Sequence, residues 1–306
     1  MSTIHIVTGA GPVGSTLALQ LAEAGERVRV LTRSGSGPEH PLVERRRVDA
    51  SDRTALREAC EGAVSIYHCI HGSRYEAATW RAELPAAEQV VMDVAGEVGA
   101  VVVFPESLYS YGVVEAPMTE SGYGWASGGK LGVRSDLLAA RGAHSTPTVS
   151  VAASDFYGPR VRTAHAGERL VPTVLAGRRL WLVGSLDQPH SFTYVPDLTR
   201  AMIAAAGREE LWNTFLLAPT APPVTQRELV AQVARAGEVA VPRTGAIPVG
   251  LMRALGMVSS EMRELAETGY MFDRPFVVDS SRSEGLLGQE PTPLAEGLKE
   301  TVRWWK

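Results

Sequence analysis

Three glycines near the start of the chain have the spacing of a phosphate-binding turn. Gly9, Gly11 and Gly14 follow a short apolar run directly. In such a turn the first glycine permits a tight bend, the second lets bare backbone approach a pyrophosphate, and the third lets a helix pack closely against a strand. The start of that helix offers unpaired N–H groups to the phosphate charge. The pattern predicts that this turn, including Pro12 and Val13, binds a dinucleotide; an ordinary glycine turn is the alternative.

The end of the second predicted strand indicates which dinucleotide is preferred. NAD sites usually have Asp or Glu there, about 20 residues beyond the glycines, to bind the ribose hydroxyls. This chain has Arg33 and Ser34 instead. A guanidinium and a hydroxyl attract a 2′-phosphate, which a carboxylate would repel. We therefore predict NADP(H) rather than NAD, with a solvated surface arginine as the alternative.

Lysine is rare in this chain, which draws attention to Lys130. Of 30 basic residues only Lys130, Lys299 and Lys306 are lysines. The last two lie near the C-terminus, where surface charges are expected, whereas Lys130 lies mid-chain among glycines. A compact ammonium has uses for which Arg is no substitute. Lys130 is therefore a candidate for a specific contact.

Strand and helix patterns alternate along the first half of the chain, which predicts an α/β fold with a doubly wound parallel (Rossmann) sheet. A smaller, mainly helical C-terminal lobe is expected to bind the substrate. The predicted core is 1–157, with 190–220 returning to it, and the predicted lobe is 158–189 and 221–306. Strands are predicted at 4–8, 28–31, 47–49, 63–70, 100–104, 148–152, 179–183 and 214–217, helices at 79–96 and 131–141, and a helix capped by Asp197.

Composition excludes several classes of protein. The chain has 306 residues, 45% hydrophobic content and a net charge of −4 with acids and bases interleaved. This balance predicts no nucleic-acid or membrane partner. The sequence shows no signal peptide or membrane-spanning run, so a cytoplasmic location is expected. With only two cysteines, Cys60 and Cys69, we expect free thiols rather than disulfides. No Cys/His spacing indicates a metal site, and no serine has the nucleophile-elbow pattern of a hydrolase.

Several short motifs together resemble the extended short-chain dehydrogenase/reductase superfamily, of the NAD-dependent epimerase/dehydratase type. The resemblance covers most of the chain. The motifs are Thr8-Gly9, Val48-Asp49, Glu106 to Gly112, Thr119-Glu120, Phe156 to Pro159, and Phe192 to Asp197.

The resemblance implies roles for individual residues. Asp49 is expected to contact the adenine amino group, and Ser107 to hydrogen-bond the reacting oxygen. Lys130 is expected to hold the nicotinamide ribose. The loop that begins with Phe156 and Tyr157 is expected to border the nicotinamide. The predicted cofactor-binding set also includes Ala50, Ile70 and His71.

The chain departs from the superfamily pattern at two places. Its glycines have the older dehydrogenase spacing rather than TGxxGxxG. More seriously, the Tyr-x-x-x-Lys signature maps onto Ala126 and Lys130, so the lysine is kept and the tyrosine is lost. This resembles the atypical members that retain the cofactor fold without the usual tyrosine. In the standard site that phenol exchanges the proton, and the lysine lowers its pKa.

With Ser107 and Lys130 kept, another group must supply the proton. The candidates are Tyr123, Tyr111 and His71. The leading hypothesis is an NADP(H)-binding oxidoreductase or epimerase/dehydratase-like enzyme acting on a hydroxyl or carbonyl of a small molecule. A non-catalytic NADP(H)-binding sensor or regulator is the alternative, and redox-neutral isomerisation is a third reading. The resemblance also implies a possible homodimer through helices near 80–96 and 128–141.

Overall fold

The computed structural model describes residues 3–306 of the chain. Its strands are β1 (Ile4–Thr8), β2 (Arg27–Thr32), β3 (Val43–Arg47), β4 (Ala63–His68), β5 (Val101–Ser107), β6 (Thr148–Ala153), β7 (Asp155–Tyr157), β8 (Leu180–Val183), β9 (Phe192–Tyr194), β10 (Thr214–Leu217) and β11 (Thr244–Ile247). Its α-helices are α1 (Pro12–Glu23), α2 (Arg53–Ala59), α3 (Ala77–Val98), α4 (Gly129–Ala143), α5 (Val171–Leu175), α6 (Val195–Ala206), α7 (Gln226–Gly237), α8 (Val249–Leu255), α9 (Ser260–Glu267), α10 (Tyr270–Asp273), α11 (Ser281–Leu287) and α12 (Leu294–Trp305).

Seven parallel strands form the central sheet, in the order β10-β6-β5-β4-β1-β2-β3. Both faces are covered, because neighbouring residues of a strand point to opposite sides. Val7 belongs to the apolar cluster that includes Leu17 of α1 and Leu198 of α6. Its neighbour Ile6 belongs to a second cluster, with Val91 of α3. The predicted doubly wound fold is confirmed.

Two local predictions were wrong. The third strand lies at Val43–Arg47 rather than at 47–49. This strand lies at the edge of the sheet with one neighbour, so its arginines remain solvated. The apolar pattern that identifies buried strands is therefore weak in its sequence. Asp197 does not cap α6, which begins at Val195. Its carboxylate instead accepts hydrogen bonds from Thr292 N at 2.6 Å and Thr292 Oγ1 at 2.8 Å, which tie the C-terminal stretch to the core.

The C-terminal elements form their own apolar cluster beside the sheet. Strands β8 and β11 pair with each other, as do β7 and β9. The cluster includes Val174 of α5, Leu229 of α7 and Leu298 of α12. Strand β10 returns to the central sheet beside β6, as predicted. Within residues 3–306, no helix has the length and apolar character needed to cross a membrane.

Candidate functional site

The glycine turn between β1 and α1 requires two of its three glycines for packing. Gly9 has a φ of +90°, and a Cβ added there would lie 2.8 Å from the carbonyl oxygen of Cys69. A Cβ on Gly14 would lie 2.1 Å from the carbonyl oxygen of Gly9. At Gly11, by contrast, an added Cβ meets no described atom within 4 Å. The protein therefore keeps the space at Gly11 open, and packing does not explain that glycine.

Backbone donors surround this open space. The first backbone bond of α1 runs from Ser15 N to Gly11 O at 2.9 Å. The N–H groups of Val13 and Gly14 precede that bond and have no partner within the helix, and Pro12 has no N–H group. Free donors at a helix start favour negative charge. The turn thus fits the pyrophosphate of a dinucleotide.

The predicted ribose-recognition residues lie at the end of β2, on the exposed surface. The Arg33 guanidinium makes no hydrogen bond or ion pair with any residue in 3–306, and Ser34 Oγ lies 2.7 Å from Ser36 Oγ. Asp49 Oδ1 accepts hydrogen bonds from Ser51 N at 3.0 Å and Ser51 Oγ at 2.7 Å. These bonds, with a smaller contribution from the Arg33 charge, lower the pKa of Asp49. Arg33 and Asp49 therefore share one edge of the site.

The residues that follow β4 and β3 also lie near this edge. Ile70 and His71 are exposed directly after β4, and the His71 ring meets Trp80 edge-on at 4.6 Å between centroids. Ala50 is buried in the apolar cluster that includes Leu31 of β2 and Val91 of α3. Ile70 and His71 remain available to a ligand, whereas the Ala50 side chain packs into the core.

Ser107 ends β5, and the buried residue before it holds its hydroxyl. Glu106 Oε1 accepts hydrogen bonds from Ser107 N at 2.7 Å and Ser107 Oγ at 3.2 Å. Burial raises the pKa of Glu106, but the charges of Arg134 and Arg141 and the bond from Ser107 N outweigh it, so the net shift is downward. Because a carboxylate takes the hydroxyl proton, the Ser107 oxygen presents its lone pairs to a ligand.

A buried ion cluster fixes Glu106 in turn. Arg141 donates to Glu106 Oε2 at 2.7 Å and to both carboxylate oxygens of Glu88, at 2.7 and 2.6 Å. Arg134 lies 3.4 Å from Glu106 Oε1. Glu88 is on α3 and both arginines are on α4. The cluster therefore joins two helices to the end of β5.

The phenols predicted as proton donors have other contacts. The Tyr111 hydroxyl donates to the carbonyl of Thr119, and burial raises the Tyr111 pKa well above its usual value. The Tyr123 ring stacks on Phe215 with 3.9 Å between centroids. Within the described chain, neither hydroxyl hydrogen-bonds with Ser107 or Lys130. The structure thus does not support Tyr111 or Tyr123 as the replacement for the missing phenol.

Lys130 lies in the first turn of α4, and its ammonium is fully engaged. The side chain is 0% exposed, and Nζ donates to Glu264 O at 2.8 Å and to Glu264 Oε2 at 2.6 Å. Glu267 Oε2 lies 2.7 Å from Nζ, and Glu267 Oε1 accepts from Lys130 N at 2.9 Å. Two of the three ammonium protons therefore go to Glu264, and the Glu267 carboxylate forms an ion pair with the same nitrogen. The expectation of an ammonium open to a ribose needs correction: in this structure Lys130 anchors α9.

Sequence reasoning missed two phenols beside Lys130. Its Nζ lies 4.6 Å from the centroid of the Tyr75 ring, and Tyr75 Oη lies 2.8 Å from Tyr109 Oη. Burial raises the pKa of both. Tyr109 belongs to the motif at Glu106 to Gly112, so that motif contained a signal. Tyr75 precedes α3, far from Lys130 in sequence, and no local pattern links the two.

Phe156 and Tyr157 follow β6, and the structure separates them. Tyr157 is buried among C-terminal side chains, where its ring lies 5.1 Å from that of Tyr194. The Tyr157 side chain therefore lies in the core, and its role as a cofactor contact stays a prediction. Phe156 points the other way and stays partly exposed, since successive strand residues alternate.

Asp155, just before Phe156, forms an ion pair that the sequence analysis did not identify. Asp155 Oδ2 lies 2.6 Å from His190 Nε2, and His190 Nδ1 lies 3.0 Å from the carbonyl oxygen of Met271. The Asp155 side chain is 19% exposed and that of His190 is 2% exposed. Only the fold joins them, by pairing β7 with β9.

Several solved structures of known proteins have the same fold as this chain. The UDP-glucose 4-epimerase of Thermotoga maritima superposes with a TM-score of 0.76 at 18% identity, covering 99% of this chain and 98% of that one. The UDP-glucuronic acid 4-epimerase of Bacillus cereus, in complex with NAD, superposes with a TM-score of 0.77 at 17% identity, covering 98% of both chains. A double mutant of the dTDP-glucose 4,6-dehydratase of Streptomyces venezuelae, with NAD bound, superposes with a TM-score of 0.77 at 20% identity, covering 98% of this chain and 96% of that one.

These likenesses establish the fold. No curated protein sequence matches the chain. The profile of the NAD-dependent epimerase/dehydratase family matches residues 5–214, more than half of the chain. The chain therefore belongs to the NAD-dependent epimerase/dehydratase family.

Proposed function

We propose that this protein is an NADP(H)-dependent oxidoreductase or epimerase/dehydratase-type enzyme that acts on a hydroxyl or carbonyl group of a small molecule. The observation that carries the proposal is the open space at Gly11 beside unpartnered N–H groups of α1. Gly9 and Gly14 are explained by packing, whereas Gly11 is explained by a ligand that needs bare backbone. Family membership supplies the reaction class.

The preference for NADP(H) depends on Arg33 and Ser34. Arg33 is exposed and has no partner among the described residues, so its guanidinium is free to meet a 2′-phosphate. Several structural neighbours contain NAD, which makes this a point to test. We expect Arg33→Asp to weaken NADP⁺ binding at least about tenfold, a change of about 1.4 kcal/mol, while NAD⁺ binding is kept. The exposed Arg253 on α8 provides the control, Arg253→Asp, which should leave both affinities unchanged.

The chain's own residues define part of the chemistry. A bound nicotinamide would accept or supply a hydride. Ser107, whose hydroxyl now donates to Glu106, would turn to donate a hydrogen bond to the reacting oxygen. Ala126 has no group that can hold a proton, so the proton must come from elsewhere. The role of Lys130 at a ribose stays a prediction, and it requires the ribose to replace a present contact with Glu264 or Glu267.

Nucleotide sugars are the first substrates to test, because structural neighbours contain or act on them. The experiment incubates the protein with UDP-glucose, UDP-glucuronic acid or dTDP-glucose and each oxidised nucleotide. Absorbance of the reduced nucleotide and mass spectrometry of the sugar are then followed. Turnover that falls in Ser107→Ala supports the proposal. Equal rates in the wild type and Ser107→Ala would remove Ser107 from it.

A second candidate is a non-catalytic NADP(H)-binding sensor or regulator. The observation that favours it is the ammonium of Lys130, which α9 engages fully, together with Ala126 in the place of the phenol. Tight nucleotide binding with no turnover on any substrate would favour this function. A redox-neutral isomerase would instead copurify with tightly held nucleotide, which mass spectrometry detects.

The homodimer through 80–96 and 128–141 stays a proposal. Helix α3 contains the first segment and α4 contains the second from Gly129 onward, and Glu88 and Arg141 join the two helices. Sedimentation velocity on the purified protein measures the state directly, and a monomer at all concentrations would contradict it.

A further inference from the structure

The site lacks an assigned proton donor, and one polar pair at the carboxyl end of the sheet has the chemistry for that role. Ser107 ends β5, and its partner in the β5–β6 register is Ala153. Asp155 follows two residues later, at the start of β7. The carboxyl ends of adjacent parallel strands meet at one edge of a sheet, which is where ligands bind in such folds. Asp155 therefore lies on the same edge as Ser107.

Hydrogen bonds indicate the protonation state of the pair. His190 Nε2 faces a carboxylate oxygen of Asp155, and Nδ1 faces the carbonyl of Met271. A carbonyl only accepts, so Nδ1 carries a proton. Burial raises the pKa of Asp155, but the hydrogen bond and charge of His190, with a smaller contribution from His165, bring it below its ordinary value. Both ring nitrogens of His190 therefore face oxygens that accept hydrogen bonds, and Nε2 donates to the Asp155 carboxylate.

Aromatic rings surround His190. Its ring stacks on Phe272 with 4.7 Å between centroids and 5° between planes. Phe276 lies at 5.2 Å and Phe192 at 4.7 Å. These contacts fix the orientation of the His190 ring beside Asp155.

The other oxygen of Asp155 is available. Oδ1 has no hydrogen-bond partner among the described residues, and the side chain is partly exposed. Its backbone is held in place, because Ser154 N donates to Thr193 Oγ1 at 3.0 Å and Ser154 Oγ donates to Ser191 O at 2.7 Å. One oxygen is therefore bonded to His190, and the other has no hydrogen bond among the described residues.

We propose that Asp155 is the acid–base residue of this site and that His190 is the positioning residue that holds it as a carboxylate. This inference rests on the proposed function. In the oxidative direction the O–H bond of a substrate hydroxyl breaks, and the proton forms an O–H bond with Oδ1. The carbon that bears this oxygen loses a hydride to an oxidised nicotinamide dinucleotide, the co-reactant of the proposed function. In the reductive direction the proton returns to the oxygen, and His190 keeps both of its protons throughout.

The pH dependence follows from the groups that face Asp155. His190 and His165 lower its pKa, and the Asp155 charge in turn raises the pKa of Tyr75 and Tyr109. Burial lowers the pKa of His165, so that ring is neutral at neutral pH, although Asp155 opposes the shift. The carboxylate is the active form in the oxidative direction, so activity falls as pH drops through the Asp155 pKa. Loss of the His190 charge raises that pKa and moves the fall to higher pH.

The test combines turnover with a measurement that needs no substrate. Asp155→Asn should lower kcat on the nucleotide-sugar panel at least about 100-fold, the usual scale of acid–base catalysis, while nucleotide affinity is unchanged. His190→Gln should move the acidic limb of the pH profile upward. ¹⁵N NMR of the His190 ring, assigned by its loss in His190→Gln, should show two protonated nitrogens in the wild type at neutral pH. Asp279→Asn, which alters a carboxylate bound to Ser281, is the control and should change none of these.

Each outcome has a separate meaning. If the wild type is active and the kcat of Asp155→Asn is within about threefold of the wild-type value, the inference is overturned. If the wild type turns over nothing on the panel, the proposed catalysis fails for those substrates and the NMR decides on the pair. A neutral His190 ring then overturns the inference, and an imidazolium that is lost in Asp155→Asn supports it. Thermal unfolding identifies a variant that has failed to fold. Asp155→Glu keeps the carboxylate and should therefore retain part of the turnover that Asp155→Asn loses.

Discussion

The two ends of the site differ in how they are prepared for a ligand. The phosphate end is open at Gly11, and the N–H groups of Val13 and Gly14 have no partner within α1. At the proposed reaction end, Ser107, Lys130 and Asp155 each already bind a buried or half-buried partner. A nucleotide can therefore be held by backbone alone at one end, whereas chemistry at the other end depends on side chains that are fixed by other side chains.

The largest expected effect is at the scaffold of the reaction end. Arg141→Met leaves the buried carboxylates of Glu88 and Glu106 without their main partner. Uncompensated buried charge of this kind costs about 3–5 kcal/mol. Chemical denaturation should therefore show that loss in unfolding free energy. A change under about 1 kcal/mol would mean that the cluster does not hold the end of β5.

At the phosphate end, Gly14→Ala is expected to be the more disruptive of two alanine substitutions. The new Cβ would lie 2.1 Å from the backbone oxygen of Gly9, so α1 or the turn must shift. Overpacking of this kind costs about 1–3 kcal/mol, and the backbone contact puts this case near the upper limit. Denaturation measures it, and wild-type stability in Gly14→Ala would contradict the close approach of α1 to the turn.

Lys130→Met separates the two roles of that lysine. The variant leaves Glu264 and Glu267 without the ammonium, but their side chains are 21% and 26% exposed, so water compensates in part. We expect a loss of about 2 kcal/mol in unfolding free energy, below the range for fully buried pairs. The control Lys299→Met alters a lysine of α12 and should have little effect. Unchanged stability with weaker nucleotide binding would instead support the ribose role.

The smallest expected effect on stability is at Gly11. Its added Cβ meets no described atom, so Gly11→Ala should change unfolding free energy by less than about 0.5 kcal/mol. The methyl group would nevertheless occupy space that the phosphate needs. Calorimetry should show nucleotide affinity at least about tenfold weaker, or about 1.4 kcal/mol. Full affinity in a stable Gly11→Ala protein would contradict the proposed position of the phosphate.

The same contrast explains what could be predicted from sequence. The glycine turn, the sheet and the return of β10 follow from local patterns, because period and turn chemistry are written within a few residues. The partners at the reaction end come from distant segments: Glu264 reaches Lys130, and His190 reaches Asp155. No spacing rule reveals such pairs. The burial of Tyr157 could not be predicted for the same reason, since the C-terminal side chains that bury it come from far along the chain.

Isothermal titration calorimetry with NAD⁺, NADH, NADP⁺ and NADPH tests the central claim most directly. We expect saturable binding of at least one pair, with NADP(H) preferred, and a marked loss of affinity in Gly11→Ala. Absence of heat and saturation with all four nucleotides would contradict it.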